Sequence, residues 1–189
     1  MTAEPNYNKT IVHAITGEEI TFLESSEETG GKYEYIEVFL PPKGEGPPLH
    51  YHRQFEETFE TVDGELKILL ANKEVILQPG ESFTVEKETH HAFLNASEKH
   101  PVTFRVKLTP ANNFETSMRI IYGLAADGEM DEKKGTLKNP MYTALALDMQ
   151  DTRLVQVPKL VQRFMLDRLA KKAKRMGVDQ QLIAKYVKK

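Results

Sequence analysis

Two histidines one residue apart, His50 and His52, are the residues of this chain whose types and spacing point most directly to chemistry. On an extended strand, residues two apart project from the same face, so this pair makes a two-imidazole clamp for a metal ion. Glu57 follows past a polar break at Arg53 and Gln54 and opens the segment ETFETV, which reads as the next strand or a continuation, so a carboxylate can stand beside the imidazoles. Further on, the run HHAFLN offers His91 as a fourth donor once the sheet folds back on itself. The chain has no cysteine, so thiolate ligands and disulfides are excluded and a metal must be held by imidazole, carboxylate and water. Such a mixed nitrogen and oxygen set suits a borderline divalent ion: iron, manganese, nickel or zinc.

The spacing goes beyond generic metal chemistry. Gly44, five residues, His50-x-His52, four residues, Glu57, six residues and Gly64 resembles the first signature motif of the cupin superfamily at each diagnostic position. The second motif resembles Gly80, five residues, Glu86-Lys87-Glu88, two residues, His91, three residues and Asn95, with Glu86 and Glu88 standing where the family usually has proline and glycine. The resemblance implies a small double-stranded β-helix with one divalent ion per chain inside it, held by His50, His52, Glu57 and His91. It also implies a small-molecule substrate or ligand and a homodimer. Adjacent side chains on a strand face opposite ways, so only one of His90 and His91 looks inward, and the motif selects His91. His13 and His100 have no partner at ligand spacing and read as packing or surface residues.

The elements that must position these residues are mostly short strands. Ile11 to Ala14 and Glu19 to Leu23 flank a Thr16-Gly17 turn as a hairpin, and Tyr33 to Leu40 is rich in aromatic and β-branched residues. Its large residues on both faces place this last strand away from an exposed edge. Pro41 to Pro48 reads as a stiff loop without a hydrogen-bond ladder that delivers His50 in a defined direction. Asp63-Gly64 is a hairpin signal, with Glu65 to Ala71 as the return strand; shorter strands follow at Glu74 to Leu77 and Ser82 to Val85. Val102 to Leu108 alternates apolar with Thr103, Arg105 and Lys107. If that second face looks inward, Arg105 becomes a candidate pocket residue for an anionic substrate. Phe59, Phe83 and Phe93 are candidates for an apolar pocket wall, or for ordinary core.

The pattern changes at Pro110. Phe114, Met118, Ile121 and Ala125 recur at helical spacing, and Asn139-Pro140 supplies an N-cap and first-turn proline for a second helix. A third runs from about Lys159 to Met176 with Leu160, Val161, Phe164, Leu169 and Ala173 as its apolar stripe, and a short fourth begins at Asp179. From Lys159 onward there are ten Lys or Arg against two Asp or Glu, about +8, whereas the rest carries 15 against 26, or −11. Leu169 to Lys188 loosely suits a helix-turn-helix, but Lys172 falls where that motif needs an apolar residue and no third helix closes a core, so nucleic acid is set aside as a partner.

At 189 residues the chain suits one well-filled domain with an appendage, and 40% hydrophobic with 28% charged residues is ordinary for a soluble globular protein. Residues 1 to 10 read as loosely held. No apolar run spans a membrane and the N-terminus lacks the zones of a signal peptide, which gives the expectation of a cytoplasmic protein with no membrane partner. Phosphate-binding loops, dinucleotide-binding glycine runs and nucleophile elbows do not occur. The expected architecture is mainly β: a cupin or jelly-roll barrel over residues 11–109, and a helical C-terminal extension over 110–189 packing on it. The expected chemistry is that of a metal-dependent, dioxygenase-like oxidoreductase. Glu57 is either a permanent ligand or a catalytic base that leaves the metal to take a substrate proton. The alternatives are a non-enzymatic ligand-binding or regulatory cupin and, behind it, a metal-dependent isomerase or a DNA-binding regulator.

Overall fold

The computed structural model describes residues 8–133 and 135–187. Of residues 1 to 10, expected to be loosely held, 1–7 lie outside the described residues, as do the last two positions of the helical extension, whereas Lys9 O accepts from Phe22 N–H and Thr10 opens the first strand. Strands β1 (Thr10–Val12), β2 (Glu19–Glu24), β3 (Glu34–Leu40), β4 (His50–His52), β5 (Glu56–Asp63), β6 (Leu66–Leu70), β7 (Glu74–Leu77), β8 (Ser82–Val85), β9 (His91–Asn95) and β10 (Val102–Thr109) come before any helix. Then follow α1 (Phe114–Ala126), a small ladder of β11 (Met130–Asp131) with β12 (Thr136–Leu137), α2 (Pro140–Met149) and β13 (Thr152–Leu154). The chain closes with α3 (Lys159–Val161), a π-helical turn (Gln162–Leu166), α4 (Asp167–Arg175) and α5 (Val178–Tyr186).

The strands form two antiparallel sheets, ordered β1-β2-β3-β10-β5-β8 and β13-β4-β9-β6-β7. Alternation along each strand sends one set of side chains inward. Ile36, Val38, Val102, Phe104, Val106 and Leu108 of the first sheet meet Leu66, Ile68 and Leu77 of the second in one buried core. This is the double-stranded β-helix. β3 lies between β2 and β10, away from any edge, as its two large faces require.

Three local expectations are corrected. Asp63-Gly64 does not close a hairpin: β5 pairs with β10 and β8, whereas β6 pairs with β7 and β9, so the turn carries the chain from one sheet to the other. Gly64 has φ 80°, and a Cβ there would lie 2.5 Å from the Pro101 carbonyl oxygen, which explains the motif glycine. The proline-rich loop before His50 does carry ladder bonds. Asn95 N–H donates to Gly44 O and Gly46 N–H donates to Phe93 O, extending the pairing along β9. The apolar stripe of the third helix is also displaced. Ala173 is buried as expected, but Leu160, Val161 and Phe164 are exposed and Gln162 and Ala170 are buried instead, because the π turn adds rotation that breaks the helical register assumed from the sequence.

The helices pack through a second core of Ile120, Leu124, Leu145, Met149, Ala173 and Leu182. α1 joins this core to the barrel: Tyr122 is buried with the barrel residues, and Phe114, Met118 and Ile121 pack against them. The free N–H groups at the start of α1 are taken by a carboxylate from β3, Glu34, which accepts from Asn112, Phe114 and Glu115 at 2.9, 3.4 and 3.2 Å. Asn139 caps α2, its side chain accepting from Met141 N–H. β13 was not foreseen; it adds a strand from the helical extension directly onto β4.

Candidate metal centre

His50 and His52 project inward from β4, and His91 stands beside them on β9, directly opposite His50 in the register. Glu57 comes from β5 in the facing sheet, so the four side chains meet across the interior. One ligand atom from each lies within 4.8 Å of the others. Their residues are only 1 to 6% exposed. Sequence spacing alone could propose this convergence; the pairing of β4 with β9 and the closure of the two sheets produce it.

The imidazoles are pinned from behind. Nδ1 of His50 lies 2.8 Å from Pro48 O, and Nδ1 of His91 lies 2.9 Å from Thr89 O. A ring N–H donated from Nδ1 to each carbonyl orients the ring and turns Nε2 towards the interior. His52 is held by stacking on Phe55, with ring centroids 4.2 Å apart. Both its ring nitrogens are buried with no hydrogen-bond partner among the described residues, and its Nε2 is 3.5 Å from Glu57 Oε2, too far for a good bond. A buried polar group left this way is costly, and a metal ion bound there would offset that cost.

Electrostatics within the polypeptide alone follow from this crowding. Burial and the neighbouring His91 push the His50 imidazole down to about 3, so it stays neutral over the working pH range. Burial pushes the Glu57 carboxyl up, but His52 and His91 reverse that and hold it well below the usual carboxylate range. For His91, burial favours the neutral ring, yet the 2.7 Å contact with Glu57 Oε2 prevails and raises it. Neutral His50 and ionised Glu57 are the protonation states that ligation needs.

The other candidates separate cleanly. Phe59 and Phe93 lie next to the cluster: their rings are 5.5 Å apart, and Phe59 is 6.4 Å from His91. Phe83 is opposite Phe59 in the β5–β8 register and packs on the barrel core, without a ring contact to the histidines. Arg105 is not brought to the site. β10 turns Phe104 and Val106 inward, leaving Arg105 on the outer face, where it pairs with Glu37 at 3.0 Å. His90 faces Tyr51 at 5.2 Å, and His13 is buried edge-on against Tyr122 at 4.9 Å. His100 is exposed.

The motif departures are accommodated. Glu88 adopts φ 62°, the left-handed conformation that explains the family's glycine there, and its N–H donates to His52 O at 2.6 Å. The side chains of Glu86 and Glu88 point to solvent. Asn95 is a structural clip, donating to Pro41 O and His100 O and accepting from Ser97 N–H. Asp151 was missed altogether. Its carboxylate accepts from Arg53 N–H at 2.6 Å and Gln54 N–H at 2.8 Å, between two of the ligands, and nothing local in the sequence announces a partner 98 residues away.

Among the clefts on the surface of the described residues are two larger ones. One of about 760 Å³ is lined by residues 45–49, 69–74 and 92–94, and one of about 400 Å³ by residues that include Tyr33, Tyr35, Glu60 and Lys107. Neither is lined by any of the four cluster residues.

Two facing antiparallel sheets, with His-x-His on one and a carboxylate on the other, define a double-stranded β-helix with a built-in donor set. Residues 36–108 match the family model described as Cupin domain, so this stretch of the chain is a cupin domain. No curated protein matches the sequence. Among solved structures, it is similar to a sugar phosphate isomerase of the cupin superfamily from Silicibacter pomeroyi, with 22% identity and a TM-score of 0.45 over 57% of this chain and 67% of that one. It is also similar to a protein described as a predicted oxalate decarboxylase from Thermotoga maritima, with 19% identity and a TM-score of 0.48 over 58% and 99%. A third is an RmlC-like cupin from Shewanella frigidimarina, with 17% identity and a TM-score of 0.47 over 59% and 92%. Likeness at this level says nothing of activity. No helix among the described residues is long and apolar enough to cross a membrane.

Proposed function

We propose that this chain holds one divalent metal ion between His50, His52, Glu57 and His91 and acts on a small molecule as a metal-dependent oxidoreductase of the dioxygenase kind. The observation that carries the metal is the buried convergence of three imidazoles and a carboxylate within 4.8 Å, with the His52 ring nitrogens lacking a hydrogen-bond partner among the described residues. When bound, the ion supplies Lewis acidity and, if it is iron, manganese or nickel, redox chemistry as well. The remaining work belongs to the chain. Pro48 and Thr89 carbonyls orient two imidazoles, Phe55 covers the third, and Phe59 with Phe93 keeps the interior apolar. Glu57, ionised and 2.7 Å from His91 Nε2, either stays a ligand or takes a substrate proton at Oε2. A cytoplasmic homodimer, divided into a barrel over 11–109 and an extension over 110–189, is part of the same reading.

Elemental analysis of the purified protein, followed by oxygen uptake with catechols, flavonols and β-diketones after loading with iron, manganese or nickel, tests the proposal. About one ion per chain and uptake with a member of the panel is the expected result. Protein that is metal-free and refuses metal sinks the central claim.

One observation favours a second reading, a non-catalytic ligand-binding cupin: the donors are nearly sealed from solvent and border neither surface cleft. A tightly held ligand recovered unchanged, without oxygen uptake, would support it.

A further inference from the structure

The turn between β4 and β5 separates two of the four donors, His52 before it and Glu57 after it, and its geometry sets how far apart they stand. That turn is not held by the barrel alone. Asp151, 1% exposed, reaches it from the end of α2, and one carboxylate oxygen accepts from Arg53 N–H and Gln54 N–H at 2.6 and 2.8 Å. The other accepts from the Arg53 guanidinium at 2.7 and 3.1 Å. Charge-assisted bonds to two consecutive main-chain N–H groups fix the path of the backbone more tightly than side-chain packing can. Asp151 has φ 48°, a left-handed conformation that Asp and Asn tolerate better than most residues and that turns the chain out of α2 into β13.

The strand that follows is laid along the histidine strand. Thr152 pairs with His52, Arg153 with Tyr51 and Leu154 with His50. Its far edge is covered: the Gln162 side chain accepts from Leu154 N–H at 3.1 Å and donates to Leu154 O and Val157 O, both at 2.8 Å. Arg153 is tied to Asp167 at the start of α4, at 2.9 Å. The two-histidine strand is thus sandwiched between β9, which carries the third histidine, and a segment of the helical extension.

We propose that Asp151 is a positioning residue of the metal centre: by holding the main chain of Arg53 and Gln54 it sets the separation of His52 from Glu57, and so couples metal affinity to the C-terminal extension. This rests on the metal reading above. By linkage, metal binding and the docking of residues 151–155 stabilise each other by the same factor.

Cobalt(II) titration of the full chain in competition with a chromogenic chelator, with the visible spectrum recorded at saturation, tests this. Asp151→Gly removes the carboxylate while keeping a residue suited to positive φ; it should weaken cobalt binding roughly 10- to 100-fold, the usual cost of losing a group that orients ligands, and shift the saturated spectrum. Asp151→Asn, which keeps one acceptor oxygen, should fall between. Arg53→Met removes the half-exposed guanidinium and its bonds to the Asp151 carboxylate but neither main-chain bond, and should stay within about twofold of the wild type. In hydrogen exchange on the wild type, which needs no variant to fold, cobalt should slow the amides of residues 53–54 and 152–155 together. Asp151→Gly binding as tightly as wild type with an unchanged spectrum overturns the inference alone, as does protection confined to 53–54. A wild type that takes up no cobalt removes the metal reading and this inference with it.

Discussion

The barrel interior around His91 and the helical interior around Leu145 are equally dry, each of these residues being 1% exposed, yet they are held in different ways. Around Leu145 the partners are Ile120, Leu124, Met149, Ala173 and Leu182, and any shape-compatible apolar neighbour does the same work. Around His91 the contacts are pairings of single atoms, Nδ1 with Thr89 O and Nε2 with Glu57 Oε2. Apolar burial is non-directional and graded, so errors there cost stability in proportion to the atoms lost. A donor set is directional and all of its members must converge, so an error of an ångström costs function while the fold survives. The regions meet at α1 and, through β13, at the histidine strand itself.

The comparison breaks most severely if the two regions are independent. Deleting residues from Leu137 onward strips β13 from β4 and uncovers Ile120 and Leu124; the product should be poorly soluble and metal-poor, as read by sedimentation and elemental analysis. A truncated barrel that remains soluble and keeps its metal, together with duplex-DNA affinity of the full chain that falls steeply with salt, would instead favour a regulator. Next in size, His52→Ala should cut metal content from about one ion per chain to near none at equal protein concentration, a loss of affinity of at least about 100-fold, with the circular dichroism of the fold retained.

The helical core should respond oppositely. Leu145→Ala should lower unfolding free energy by about 2–5 kcal/mol in urea titrations while leaving the metal stoichiometry of the folded protein unchanged. The junction carries a pH signature. Burial pushes the Glu18 carboxyl up to about 7, offset in part by the Tyr122 hydroxyl, which lacks a well-formed hydrogen bond. The unfolded chain ionises this group at its ordinary lower value, so native stability falls as pH rises from about 4.5 to about 7. Glu18→Gln should therefore be more stable than wild type at pH 8, by about 1 kcal/mol given that Glu18 is partly exposed, and the gap should close towards pH 5. The smallest effect is expected at the turn before His91. Glu88→Gly relieves a left-handed residue at the cost of chain entropy, a net gain of about 0.5 kcal/mol in thermal unfolding with metal affinity unchanged.

Much of the barrel was legible because its signals are local. Alternation along Val102 to Leu108 separated an apolar face from a polar one, and the single residue between His50 and His52 placed both on one side of β4. Where a signal had two outcomes, the sequence misled. Asp63-Gly64 makes the same turn whether the next strand returns beside its predecessor or crosses to the other sheet, and the pattern of Arg105 fits an inward or an outward cation until the barrel has a defined inside. The third helix failed for another reason: a π turn is a product of packing, with Gln162 drawn in to satisfy Leu154 and Val157 at the expense of Leu160 and Phe164.

By itself the sequence determined the donor types, their spacing, the absence of thiolates and the strand-then-helix order, because these depend on residue identity and short-range geometry. The tertiary structure decided what touches what across long separations. It paired β4 with β9, set Glu57 against His91 from the facing sheet, left the His52 ring nitrogens without a hydrogen-bond partner among the described residues and brought Asp151 to the turn at Arg53. Such contacts arise only when the closing of long loops is compensated by burial of both sheets at once, and no local pattern encodes that balance.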